Sequence, residues 1–190
     1  MGIGNDTETI IKNMTKALEQ AKSEKKLQIA MPPRIVDEIK SFFDNPDQEF
    51  LMDFFSLVTV KSPSLGELTI SAEIIAQYIE ESRTRAYRSQ DVAEEEIIKT
   101  GEMFMGKEVL PHKEFQMAVG KGIKSFRNRY RNALRTGFID SLADFDLIML
   151  AKELEGTLVS TDEGVILWGR KLGVKEVEPS VLGKMMQAYL

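Results

Sequence analysis

The sequence predicts an α/β protein: a parallel sheet flanked by helices, with a long α-helical hairpin inserted into it. Three observations predict this. Short apolar runs alternate with helical stripes toward both ends of the chain, the order that gives β–α–β units and a parallel sheet. Between them, residues 72–135 carry two long helical patterns joined by one turn. Breakers fall at the joints, at Pro32-Pro33, Pro63, Gly106, Pro111, Gly137 and Gly156. The expected division is an α/β domain from residues 1–71 and 136–190, and a hairpin from 72–135.

Taken in order, Gly2 to Thr7 reads as a loop in which Asp6 or Thr7 can cap a first helix. That helix repeats Ile10, Ile11, Met14, Leu18 and Ala21 at helical spacing. Leu27 to Met31 alternates like a strand and stops at Pro32. Ile35, Val36, Ile39 and Phe42 mark a second helix, broken at Asp44-Asn45-Pro46-Asp47. Phe50, Leu51, Phe54 and Phe55 mark a third, and Leu57 to Val60 a buried strand. Ser71 caps the long helix through Ile74, Tyr78, Val92 and Ile97. After the Gly106–Pro111 turn, Phe115, Val119, Ile123, Phe126, Tyr130 and Leu134 form the apolar stripe of its partner. Ser141 to Leu154 is a helix ended by Gly156, Thr157 to Ser160 a strand, and Val165 to Leu172 a helix closed by Gly173. Val174 to Val177 is a last strand before a terminal helix.

Composition narrows the chemistry. No cysteine is present, which excludes disulfides, thiolate catalysis and zinc–thiolate sites. The single histidine, His112, falls in the hairpin turn, where exposure explains it. No apolar run reaches the roughly 18–20 residues that span a bilayer, and no leader pattern opens the chain; the expected compartment is the cytoplasm. The net charge is −5, so a nucleic-acid partner requires a local basic face. One exists. From Lys121 to Arg135 every ionisable residue is basic: Lys121, Lys124, Arg127, Arg129, Arg131 and Arg135. These residues can bind phosphates, or they can be a solvated helix face. Tyr78, Tyr87 and Tyr130 could stack on bases, but their spacing fits helix packing better.

Three carboxylates stand out. Asp140 and Asp144, four apart, are expected on one helix face, and Asp162 ends the strand that follows. Ligands of parallel sheets bind beyond the carboxyl ends of the strands, so the three could converge there. Oxygen ligands without His or Cys suit Mg²⁺ or Mn²⁺. Helix capping explains them equally well: Ser141-Leu-Ala-Asp144 fits a variant capping box, and Asp162 can cap the next helix.

The segment Asp144-Phe-Asp146 through Leu158-Val-Ser-Thr-Asp162 resembles the signature of PIN-domain nucleases. The longer run from Arg131-Asn-Ala-Leu-Arg135 to Asp162-Glu-Gly164, the hairpin before it, and Met31-Pro32 through Glu38 resemble the minimal protein-only RNase P family known as HARP. The resemblance covers nearly the whole chain. It implies a metal-dependent endoribonuclease that removes the 5′ leader of precursor tRNA, using Mg²⁺ (or Mn²⁺) on Asp140, Asp144, Asp162 and Glu38. It also implies dimers that assemble into larger homo-oligomers. Arg135, close to Asp140 in sequence, is expected nearest the scissile phosphate, and Asp146, on a different helical face from Asp144, is expected to play a supporting or structural part. PIN nucleases usually begin with an apolar strand ending in Asp-Thr or Asp-Ser; Asp6-Thr7 has no such strand before it and reads as a cap. That departure keeps open a non-catalytic RNA-binding or assembly module, beside a PIN ribonuclease acting on other RNAs.

Overall fold

The computed structural model describes residues 6–24 and 27–188; of the loop expected at Gly2–Thr7, residues 2–5 lie outside the described residues and Thr7 already begins the first helix. The chain forms two compact units, Met1–Thr69 with Ser141–Leu190, and Ile70–Asp140. In the first unit the elements run α1 (Thr7–Glu24), β1 (Ala30–Met31), α2 (Pro33–Ser41), α3 (Glu49–Leu57) and β2 (Thr59–Val60). After the second unit they resume with α6 (Leu142–Glu153), β3 (Thr157–Val159), α7 (Glu163–Lys171), β4 (Lys175–Val177) and α8 (Pro179–Gln187).

All described strand pairing is parallel, in two short ladders. β1 pairs β2 with Ala30 opposite Thr59 and Met31 opposite Val60, and β3 pairs β4 from Thr157–Lys175 to Val159–Val177. The ladders are shorter than the alternation of Leu27–Met31 and the run Leu57–Val60 predict. α3 keeps Leu57, because Leu51 and Phe54 are seated in the core one turn apart and hold the helix past Phe55. β2 is left with two residues, and Pro32, which has no N–H, ends β1.

The core explains the layering. Leu51, Phe54, Leu18 and Met186 join α1, α3 and α8 in one apolar cluster. α6 is buried over most of its circumference at Asp146, Ile148, Met149 and Leu150, as expected of a helix enclosed by other elements. It packs on α2, α7, β1 and β3. The helix does not end on Gly156: Glu155 takes the left-handed conformation (φ 49°), and the Gly156 N–H donates back to the Ala151 carbonyl at 2.9 Å. At Gly169 a Cβ would lie 2.8 Å from Leu158 Cδ2, so α7 approaches β3 as closely as only glycine permits.

The second unit is an antiparallel pair, α4 (Ala72–Phe104) and α5 (His112–Arg135). Ser71 caps α4, accepting from the Ile74 N–H. The seam runs from Phe104 against Phe115 (5.2 Å between ring centroids) past Glu96 and Arg129 to Arg85. Arg85 donates to the carbonyls of Leu134 at 3.2 Å and Thr136 at 2.7 Å, and lies over the Phe138 ring. Tyr78 stacks on Phe138 at 5.1 Å. These contacts hold residues 136–140 on the hairpin, so this unit extends past the expected boundary at 135.

Candidate functional site

The carboxylates expected to act are placed by helix starts. Ser141 is the N-cap of α6: its hydroxyl accepts from the Asp144 N–H at 3.1 Å and donates to Asp144 Oδ2 at 2.9 Å. Ser141 thereby caps the helix and holds the Asp144 carboxylate through its hydroxyl, rather than through the cap's backbone N–H as in a capping box. Asp162 caps α7, its Oδ1 accepting from the N–H groups of Gly164 at 2.7 Å and Val165 at 3.0 Å. Both carboxylates therefore sit at helix N-termini, where the backbone favours an anion. Asp162 follows the carboxyl end of β3 and is exposed. Glu38 is exposed on α2.

Asp140 departs from expectation. It does not share a helix face with Asp144, because the cap at Ser141 starts the helix only at Leu142. Asp140 closes the hairpin unit and pairs with Arg135 Nε. Asp6 behaves as a cap, accepting from the Thr9 N–H at 2.8 Å and the Thr9 hydroxyl at 2.7 Å, and these bonds hold its carboxyl below the ordinary value.

The basic run divides. At about 100° per residue, Lys121, Lys124, Arg127, Arg131 and Arg135 share one side of α5, and Arg129 lies on another. Lys121, Lys124, Arg127 and Arg131 are exposed and make no ion pair among the described residues. Arg129, expected to contact RNA, instead bridges to α4: it donates to Glu96 Oε1 at 2.7 Å and to Glu95 Oε2. Its guanidinium keeps both glutamates ionised below their ordinary range. The only acidic residue of α5, Glu114, lies about four turns away, and the partners come from the other helix. Lys113 is exposed at the far end of the same basic face, an addition that the 121–135 window leaves out.

The donor types, all carboxylate oxygen, suit a hard divalent cation. Among the described residues, however, no three His, Cys, Asp or Glu side chains are gathered closely enough to hold a metal ion. No ligand geometry follows from the structure.

The sequence profile of the PINc domain ribonuclease family matches residues 2–190. Curated relatives extend the match. An RNA-free ribonuclease P of Thermococcus kodakarensis is 33% identical over 165 residues, covering 87% of this chain and 76% of that protein. The protein of the same name from Pyrococcus furiosus is 34% identical over 80% of this chain and 69% of its own length. A third, from Haloarcula marismortui, is 29% identical over 97% of this chain and 83% of its own. The chain belongs to the RNA-free ribonuclease P family of PIN-domain ribonucleases.

An RNA-free ribonuclease P is an endoribonuclease, and its substrate class is RNA. No described helix is long and apolar enough to cross a membrane. One feature of the α/β unit was invisible along the sequence. Arg34 of α2 pairs with Asp146 of α6, whose side chain is almost fully buried, across 112 positions of chain. The pair fastens the helix that carries Glu38 to the helix that carries Asp144.

Proposed function

We propose that this ribonuclease removes the 5′ leader of precursor tRNA in the cytoplasm, with Mg²⁺ or Mn²⁺ as its cofactor. The observation that carries the proposal is the likeness over most of the chain to proteins named RNA-free ribonuclease P. In this reading Asp144 and Asp162 are the central metal ligands, with Asp140 and Glu38 completing the set. The cation, when bound, supplies an activated water and stabilises the leaving oxygen. The chain's own residues position the RNA. Lys121, Lys124, Arg127 and Arg131 take backbone phosphates, and Arg135, tied to Asp140, serves nearest the cut. Folded tRNA is then recognised by shape and backbone rather than by base sequence.

Homo-oligomers belong to the same proposal. Ile75, Ile79, Ile97 and Ile123 of the hairpin are all more than two-fifths exposed. A groove of about 320 Å³ between α4 and α5 is lined by Ala93, Ile97, Val119 and Phe126. Apolar surface of this kind favours association. Analytical ultracentrifugation at micromolar concentration is expected to show dimers or larger species; a monomer contradicts this part of the proposal.

The deciding assay incubates the chain with Mg²⁺ and a precursor tRNA carrying a 5′ leader, beside an unstructured RNA of equal length. A single product with the mature 5′ end supports the proposal. Scattered cutting of both RNAs identifies a ribonuclease acting on other RNAs.

A further inference from the structure

Arg34 has no task in the reaction as proposed so far, yet its setting is specific. It lies in the first turn of α2, three residues past the end of β1, at the carboxyl edge where parallel α/β folds bind ligands. Its Nη1 donates to Oδ2 of Asp146, two residues beyond Asp144 in α6. The two side chains differ sharply in exposure, 6% for Asp146 and 54% for Arg34. One part of the guanidinium is therefore fixed by a buried anion while the rest meets solvent. A guanidinium offers five N–H donors in a rigid fork, and a single carboxylate oxygen leaves most of them available. An ion pair that serves packing alone is readily replaced by apolar side chains of similar volume. A half-exposed arginine anchored at one end suits a different purpose, the fixed presentation of a cation to a phosphate.

We propose that Arg34 binds a backbone phosphate of the RNA substrate beside Asp144, and that Asp146 is the positioning residue that aims it. The proposal deepens the tRNA-processing reading and rests on it for the identity of the RNA. Asp146 neutralises Arg34 at long range, so Arg34 adds little to steering of distant RNA. Its contribution comes at contact, where a charge-assisted hydrogen bond replaces water.

The test uses the full chain and precursor tRNA without divalent cation, with binding followed by fluorescence anisotropy over a series of salt concentrations. Arg34→Gln is expected to weaken binding about ten-fold and to flatten the logarithmic salt slope by ~0.7–0.9, the share of one phosphate contact. It also lowers the melting temperature, because Asp146 is left buried without its cation. The double variant Arg34→Gln with Asp146→Asn removes that buried charge. Expected is a recovered melting temperature with binding still weak and the slope still flattened. A double variant that recovers affinity and slope together overturns the proposal and leaves Arg34 a packing partner only. A parent chain that binds precursor tRNA here and still fails to cut it once Mg²⁺ is added defeats the processing reading, while the slopes still decide the role of Arg34. A parent chain that does not bind the RNA defeats both.

Discussion

The unit that carries Asp144 and Asp162 and the hairpin unit are stabilised by different means. In the former, Leu51, Phe54, Ile148, Met149 and Trp168 are essentially sealed from solvent. In the latter, α5 has no buried residue, and beside the Phe104–Phe115 contact it is tied to α4 by polar bonds from Arg129 to Glu95 and Glu96 and from Arg85 to the Leu134 carbonyl. Apolar burial holds a shape that is insensitive to salt and mild acid, whereas charge pairing near solvent responds to both. Asp144 and Asp162 sit in the unit with the apolar core, whereas Asp140 and the basic run of α5 sit in the hairpin unit.

The largest effects should separate the two units by core truncation. Phe54→Ala is expected to cost about 3–5 kcal/mol. Phe126→Ala, at a half-open groove, is expected to cost less than about 2 kcal/mol. Calorimetric melting of both variants checks this, and equal losses would erase the contrast. Next comes Gly169→Ala: the added methyl collides with Leu158, and a loss of about 1–3 kcal/mol is expected from chemical denaturation.

Acid should loosen the hairpin first. Hydrogen bonds and charge from Arg129 depress the carboxyls of Glu95 and Glu96 below their ordinary value of 4.5. A depressed carboxyl stabilises the fold fully above its unfolded value, and that stability is lost as the pH falls through the folded value. Hydrogen exchange of α4 and α5 amides should therefore accelerate below about pH 4.5. Arg129→Gln should remove that acid dependence; an unchanged pH profile would mean that the pairs contribute nothing. The smallest effect belongs to the turn after α6. Glu155→Gly relieves the left-handed backbone at φ 49°, and the extra freedom of the unfolded glycine offsets part of the gain, leaving less than about 1 kcal/mol.

Much of this organisation was legible in the sequence because it is local. Helical stripes at three- and four-residue spacing located α4, α5 and α6, and Ser141-Leu-Ala-Asp144 announced the Ser141 cap that the structure contains. Asp162 as the cap of α7 was legible for the same reason. The failures concern partners distant in sequence. A tally of charges on α5 cannot see Glu95 and Glu96, which the hairpin brings to Arg129 from more than thirty residues away. Nothing near Asp146 indicates Arg34. Asp140 was misplaced by a single local competition, the cap at Ser141 excluding it from the helix. Strand lengths were overestimated because two-residue ladders depend on what the partner offers, not on alternation within one strand.

In the proposed reaction Asp144 acts as a carboxylate of the cleavage and is more than a partner of the Ser141 cap. Cleavage of 5′-extended precursor tRNA over a Mg²⁺ titration, with Asp144→Asn and Ser141→Ala compared side by side, separates the two roles. Removing the Ser141 cap should cost about 1 kcal/mol of stability and leave cutting largely intact. Asp144→Asn should abolish cutting at every Mg²⁺ concentration while the protein stays folded by circular dichroism. If the two variants lose activity alike, in step with their stability, Asp144 is a cap and the account of the site is wrong.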